Sequence, residues 1–217
     1  RLKCFTIYQK AQEKIGGVIM QRETIIAEFQ HLQDDLKSVG YLKKDMILSS
    51  SRTMIVGTLY ALPLVIIFGF VYRFLLLDHA RLLEMNGLSF YIMFLAIIIV
   101  SVIIHECLHG LGWALFSGKS WSSIRFNFHA MMPSCACRIP LSREKYLIGV
   151  LLPVIVLGGS SVVFMFVHPG TVSVLTMIVN IILSGADIMI ATSVIKEKGA
   201  LIVDHPIEAG YVAFIKR

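Results

Sequence analysis

The stretch from Leu88 to Phe116, LSFYIMFLAIIIVSVIIHECLHGLGWALF, decides which fold this sequence can adopt. It is almost wholly apolar, and most of its polar side chains lie between His105 and His109. About 20 helical residues cross the ~30 Å hydrocarbon core of a bilayer. A helix is the default spanning element because lipid offers no partner to backbone N–H and C=O groups. The stretch therefore predicts a membrane helix with a polar cluster inside it.

The composition of the whole chain agrees with a membrane location. Of its 217 residues, 56% are hydrophobic and only 16% are charged, and the mean hydropathy is +0.76. These values exclude a disordered protein, a nucleic-acid-binding arm and an ordinary soluble enzyme, whose surfaces need more charge. The net charge of +6 alone would suggest a nucleic-acid partner, but the basic residues mark membrane topology instead. Four cysteines are too few for a disulfide framework.

Three further segments are long and apolar enough to span a bilayer, namely Met54–Leu77, Tyr146–Val167 and Thr171–Ile195. The predicted fold class is an all-α membrane protein with about four transmembrane helices. Counted along the chain, Lys and Arg number nine before the first span, then one, five and none in the three loops, and four after the last span. This alternation predicts that both termini are cytoplasmic, and the expected location is the plasma (inner) membrane.

The regions outside the spans predict smaller elements. Residues 1–53 read as a cytoplasmic amphipathic helical region, with apolar residues at near-helical spacing: Ile15, Val18, Ile19, Ile25, Ile26, Phe29, Leu32 and Leu36. This region either packs on the membrane face or the rest of the protein, or docks substrate. Residues 54–195 form the four-span domain, and residues 196–217 form a cytoplasmic tail. Ile124–Phe128 alternates apolar and polar residues, which predicts a short β-hairpin that either adds an extended peptide as a new strand or pairs only with itself.

The pentapeptide His105-Glu106-Cys107-Leu108-His109 matches the H-E-x-x-H pattern. Residues four apart share one helix face, so both imidazoles can bind one metal ion while Glu106 lies beside it as a general base. Charged side chains near the centre of a membrane helix cost about 2.5–3.5 kcal/mol each, which argues against a purely structural cluster. The pattern predicts an enzyme that catalyses hydrolysis with a bound zinc ion.

A catalytic zinc usually has three protein ligands, and Asp187 is the leading candidate for the third. His105 lies 17 residues after Leu88, and Asp187 lies 16 residues after Thr171. At 1.5 Å per residue, both lie roughly 25 Å from the outer surface, near the cytoplasmic side. The alternative is that Asp187 pairs with an arginine or a hydroxyl group.

Several other polar residues are candidates for roles at this site. Asn180 and Ser184 precede Asp187 on the same helix, where they either orient its carboxylate, hold substrate backbone or make ordinary interhelical hydrogen bonds. Rival third ligands lie on the side where the site would open: His129, Cys135, Cys137, Asp204 and His205.

The chain resembles the DUF3267 family of zincin membrane peptidases and, more distantly, intramembrane metalloproteases of the site-2 protease type. The resemblance rests on these motifs: His105–Gly110, Pro140–Ser142, Pro153, Gly185–Asp187 and Asp204–Pro206. It implies that His105, His109 and Asp187 are the zinc ligands and that Glu106 is the general base.

The expected function is a membrane-embedded zinc metallopeptidase that hydrolyses peptide bonds with a zinc-activated water and Glu106 as general base. The expected cofactor is Zn²⁺, and the expected partners are the lipid bilayer and a peptide or membrane-protein substrate. Two alternatives use the same fold: a metal-handling membrane protein with the same ligands, and a non-catalytic membrane scaffold. The sequence leaves the oligomeric state open.

Overall fold

A computed structural model describes residues 23–80, 86–117, 120–129 and 132–216. The chain divides into two units, one formed by Arg1–Lys44 with Phe214–Arg217 and the other by Asp45–Ala213. In the first unit, residues 23–38 form helix α1, on which Ile25, Phe29 and Leu36 are half-buried. Gly40, with φ of 88°, follows the helix in the left-handed conformation that glycine adopts readily. The predicted helix over residues 1–22 lies outside the described residues.

The second unit contains four helical stretches long and apolar enough to cross a membrane: Ser51–His79, Gly87–Phe116, Arg143–Val167 and Thr171–Val194. These bounds agree within three residues with the predicted spans, so that prediction is confirmed. The first span consists of α2 (Ser50–Val71), a π-helical turn (Tyr72–Leu76) and a 3-10 turn (Leu77–His79), and the second span is α3 (Gly87–Ser117). The third span consists of α4 (Arg143–Pro153), a π-helical turn (Val154–Gly158) and α5 (Gly159–Val167). The fourth span consists of α6 (Thr171–Leu183) and α7 (Gly185–Val194).

The fourth span is the central one. Half of the most apolar 18-residue segment of this span is buried inside the protein, compared with 6% of the corresponding segment of the second span. Met177 and Ile181 of α6 pack with Ala61 of α2 and Met165 of α5 in an apolar core cluster. The second span instead presents most of its apolar surface outward, as a membrane helix facing lipid does.

Two close helix crossings fix the arrangement of the spans. A Cβ atom at Gly149 of α4 would overlap the indole ring of Trp113 of α3. A Cβ atom at Gly185 of α7 would overlap the backbone carbonyl of Gly57 in α2. Because glycine has no side chain at these points, α3 approaches α4 closely and α7 approaches α2 closely.

The predicted hairpin is confirmed. After a 3-10 turn at Ser120–Ser123, strands β2 (Ile124–His129) and β3 (Met132–Cys137) pair antiparallel, with Ile124 opposite Cys137 and Phe126 opposite Cys135. β4 (Leu141–Ser142) and β5 (Leu201–Asp204) also pair antiparallel. With β1 (Tyr41–Leu48) and β6 (Ala209–Lys216), they form a four-stranded sheet in the order β1-β6-β5-β4.

The all-α expectation is therefore corrected to a mostly helical fold with two small sheets. Tyr41–Leu48, within the region expected to be helical, is a strand, and so are Leu201–Asp204 and Ala209–Lys216 in the expected tail. The two tail strands are rich in β-branched and aromatic residues, which favour strands when a partner strand is available. Those partners lie far apart in the sequence, so local periodicity did not reveal them.

Candidate metal centre

Two helices bring together the three predicted metal ligands. His105 and His109 lie one turn apart on α3, and Asp187 lies in the first turn of α7. All three are buried, with 6%, 6% and 7% of their surface exposed. One ligand atom from each lies within 4.8 Å of the others, and the group could hold a metal ion. It is the one such group of three or more His, Cys, Asp or Glu side chains among the residues that the structure describes.

The distances show how tightly the three side chains converge. His105 Nε2 lies 3.0 Å from Asp187 Oδ2, and His109 Nε2 lies 3.3 Å from Asp187 Oδ1. The two Nε2 atoms lie 3.1 Å apart. The Nε2 atoms of both imidazoles therefore point at the same position, and the Asp187 carboxylate supplies the third ligand there.

The orientation of the His109 ring is fixed from both sides. Its Nδ1 lies 2.9 Å from the backbone carbonyl of Gly149, to which Nδ1–H donates. This tautomer leaves the lone pair on Nε2, the nitrogen that faces Asp187 and His105. The ring also stacks on the indole of Trp113, with centroids 5.3 Å apart. The close crossing at Gly149 therefore determines how His109 presents its ligand atom.

The position of Asp187 depends on a break in the fourth span. α6 ends at Leu183 and α7 begins at Gly185, with Ser184 between them. Gly185 packs directly against the backbone of Gly57 in α2. Asp187 follows two residues later, so the contact between the first and fourth spans places its carboxylate opposite α3.

The donor set of this cluster suits zinc. Two imidazole nitrogens and one carboxylate oxygen are common ligands of a catalytic zinc site with an open position. Asp187 Oδ2 is buried and has no hydrogen-bond partner among the described residues, although His105 Nε2 is close by. A buried carboxylate oxygen without a hydrogen bond is costly in a protein interior, and a cation at this place would satisfy it.

Glu106 lies beside the cluster and is held by the hairpin. Its Oε2 accepts a hydrogen bond of 2.6 Å from the backbone N–H of Cys135 on β3. Glu106 is only partly buried, unlike its neighbours His105 and His109. The side chain next to the predicted ligands is thus oriented by a backbone group and still reachable from outside the cluster.

The rival third ligands make other contacts. Asp204 accepts hydrogen bonds from the Cys137 N–H and the Tyr146 hydroxyl, and His205 Nδ1 accepts one from the Glu208 N–H. Burial, followed by the charge of Asp204, raises the pKa of the Cys137 thiol to about 12, and burial raises the pKa of Cys135 as well. Thiols that stay protonated are poor metal ligands. The side chain of His129 lies outside the part of the chain that the structure describes.

Asn180 and Ser184 are both buried, with 2% of each exposed. The Asn180 amide donates to the backbone carbonyl of Thr176 over 2.9 Å, and the Ser184 hydroxyl donates to that of Asn180 over 2.8 Å. These hydrogen bonds stay within the helix. Asn180 Oδ1 has no hydrogen-bond partner among the described residues. A role for either residue in orienting Asp187 or holding substrate stays a prediction.

Three features of the site were missed by the sequence analysis: the Gly149 carbonyl, the Cys135 N–H and the pairing of Tyr146 with Asp204. The first two are backbone groups, which no residue type reveals. The third feature had one indication in the sequence. Tyr146 begins an apolar span, and its hydroxyl group needs a hydrogen-bond partner when it is buried. That partner lies 58 residues further along the chain.

Comparison with known proteins gives one similarity. No curated protein and no solved structure matches the chain. The model of the DUF3267 family, whose description reads "Putative zincin peptidase", matches residues 98–201. This segment contains the predicted metal ligands His105, His109 and Asp187, together with Glu106. Over residues 98–201, from the middle of α3 to the start of β5, the chain is thus similar to the DUF3267 family.

Proposed function

We propose that this protein is a membrane-embedded zinc peptidase. The observation that carries the proposal is the convergence of His105, His109 and Asp187 in a buried cluster, with Glu106 directly beside it. The match of residues 98–201 to a zincin family supports the same reaction class. Catalytic zinc sites need three protein ligands and a nearby proton acceptor, and this cluster offers both.

In this proposal the two imidazoles and the Asp187 carboxylate hold the metal. A zinc ion bound there would supply Lewis acidity, which polarises a scissile carbonyl and makes water more acidic. Asp187 balances part of the positive charge, and the Gly149 carbonyl keeps His109 in the tautomer that offers Nε2.

Glu106 then acts as the general base. Its carboxylate takes a proton from the attacking water and later delivers that proton to the nitrogen of the leaving amine. The Cys135 N–H donates to Oε2, so the other carboxylate oxygen, Oε1, is the one we assign to proton transfer. This division of roles keeps the side chain in one orientation through both proton transfers.

We infer that the substrate is a peptide or a membrane-protein segment with apolar residues. An apolar cavity of about 260 Å³ lies between α2 and the third and fourth spans. Ser184 and Ile188, which flank Asp187 in sequence, line it. An added peptide strand would pair with the edge of β2 that faces away from β3. The opposite edge of this two-stranded sheet, the outer edge of β3, is already occupied, because its N–H groups bind Glu106 and Asp204.

The first experiment measures zinc per chain by elemental mass spectrometry in detergent-purified protein. We expect about one zinc in the wild type and a loss of zinc in both His105→Ala and Asp187→Ala. Glu106→Gln should keep the metal, because Glu106 is not a ligand in this proposal. A well-folded wild type without bound metal would refute the zinc site.

The second experiment measures hydrolysis of a mixed library of internally quenched peptides. Glu106→Gln should abolish cleavage, whereas the same change at the exposed Glu144 should have no effect. Cleavage that persists in Glu106→Gln would remove Glu106 as the base. Zinc transport that survives this substitution, without cleavage of any peptide by either protein, would point to a metal-handling protein instead.

A further inference from the structure

The outer edge of β3 binds two carboxylates. In a strand, the N–H groups of residues two apart point to the same edge. The Cys135 N–H donates to Glu106 Oε2 and the Cys137 N–H donates to Asp204 Oδ2, each over 2.6 Å. Hydrogen bonds of this length to an ionised acceptor are among the strong ones in proteins. Glu106 and Asp204 are therefore attached to the same short strand at neighbouring positions on one edge.

Asp204 is itself anchored by the third span. The Tyr146 hydroxyl donates to its Oδ1, and Tyr146 is only 1% exposed. The Tyr146 ring stacks on Trp113, with centroids 5.6 Å apart, and the Trp113 Nε1–H donates to the Tyr146 carbonyl over 3.1 Å. Since Trp113 also stacks on His109, the anchor of Asp204 belongs to the same packed group as a predicted metal ligand.

We propose that Asp204 is a positioning residue for Glu106. By fixing the Cys137 N–H, Asp204 sets the position of β3 along α3, and the Cys135 N–H two residues earlier then holds the Glu106 carboxylate beside the metal cluster. Asp204 joins β5, α4 and β3 at one carboxylate. The inference rests on the proposed function, because it assigns Glu106 the role of base.

The test reads the two backbone amides directly. Labelling with ¹⁵N-cysteine gives four amide signals, one for each cysteine of the chain. A short hydrogen bond to a carboxylate moves an amide proton signal downfield, and Cys135→Ala and Cys137→Ala assign the two signals by removing them. We expect Asp204→Ala to move the signals of both Cys137 and Cys135 upfield, although Asp204 touches only the first.

The conservative variant separates positioning from simple stability. Asp204→Asn keeps an acceptor oxygen for the Cys137 N–H, and the Tyr146 hydroxyl can accept from the new amide group. We therefore expect this variant to leave the Cys135 signal near its wild-type position. Glu208→Ala, which removes an exposed carboxylate from the same tail, should leave both signals unchanged.

Activity provides the second readout. Asp204→Ala should retain zinc and lose about 10- to 100-fold in peptide hydrolysis, the usual effect of removing a residue that orients the catalytic groups. Asp204→Asn should recover most of that loss. If Asp204→Ala fails to fold, Tyr146→Phe replaces it, because it removes the anchor and leaves the carboxylate, and it should move the Cys135 signal in the same direction.

A Cys135 signal that stays unchanged while the Cys137 signal moves, in Asp204→Ala or in Tyr146→Phe, would overturn the proposal. So would equal rates of hydrolysis by Asp204→Ala and by a wild type that cleaves the peptide library. The amide signals are measured without substrate, so this failure is distinct from failure of the proposed function, which shows as cleavage that survives Glu106→Gln.

Discussion

Asp204 is a half-buried residue outside the membrane spans, and the ionisation of its carboxyl group depends on its surroundings. Burial raises its pKa from 3.8 to about 6, although the hydrogen bonds from Tyr146 and the Cys137 N–H favour the charged form. Between about pH 4 and pH 6, the folded protein keeps a proton here that the unfolded chain has released. Folding then takes up a proton, so the free energy of unfolding contributed by this group falls as the pH rises through that window.

We therefore expect the wild type to lose thermal stability relative to Asp204→Asn as the pH rises from 4 to 7. The asparagine variant cannot ionise, so the difference between the two melting temperatures isolates this one group. The measurement is a series of thermal unfolding curves in detergent at fixed ionic strength.

Tyr146→Phe supplies an internal control for this pH dependence. The Tyr146 hydroxyl lowers the pKa of Asp204, so its removal should raise that pKa further and extend the fall in stability to higher pH. A melting-temperature difference between the wild type and Asp204→Asn that does not change with pH would contradict the raised pKa.

The crossing of α3 and α4 is the element that orients His109. At this crossing Gly149 contacts the Trp113 indole, and the backbone carbonyl of Gly149 accepts a hydrogen bond from the Nδ1–H of His109. Gly149→Ala would insert a methyl group where the indole lies, and overpacking of this kind costs about 1–3 kcal/mol. We expect a lower melting temperature and a zinc affinity reduced by about 10- to 100-fold, because the carbonyl shifts with its helix. Competition with a chelator measures the affinity.

Gly159→Ala is the matched control for that substitution. Gly159 belongs to the same span, and a Cβ atom there meets nothing within 4 Å. Alanine is the better helix former by up to about 1 kcal/mol, so this variant should be as stable as the wild type or more stable, with unchanged zinc affinity. Equal behaviour of the two variants would show that the crossing does not orient His109.

Elements whose signal is local were predictable from the sequence. Apolar length alone located α3 and the other spans within three residues, and alternation located β2. The sequence placed His105 and Asp187 at similar depths along their spans, and their side chains lie 3.0 Å apart in the structure. Contacts made at backbone atoms or between distant strands were not predictable. The hydrogen bond from Cys135 to Glu106 and the pairing of β4 with β5 depend on tertiary packing, for which neither periodicity nor residue type gives a signal.

At the scale of the whole molecule, the charges outside the spans predict which side of the membrane the candidate metal centre faces. Lys and Arg concentrate before the first span, in the loop that carries the hairpin, and after the fourth span, whereas the turn between the third and fourth spans has none. Such an asymmetry orients short loops by the positive-inside rule. Glu106 and Asp204 both bind the hairpin of the positively charged loop. From this predicted orientation and the proposed function, we expect water and substrate peptides to enter from the cytoplasmic side.

Epitope tags test this orientation. A tag after Arg217 should be recognised by an antibody only after wall-free cells are permeabilised, because we expect the segment after the fourth span to be cytoplasmic. A tag between Pro169 and Gly170, in the turn before α6, should be recognised in intact cells. Each tagged protein should bind zinc like the untagged one, which confirms that the tag leaves the fold intact. The reverse pattern of recognition would place the hairpin, and with it Glu106, on the outer side, because the third and fourth spans cross the membrane twice and return the segment after Val194 to the face of the hairpin loop.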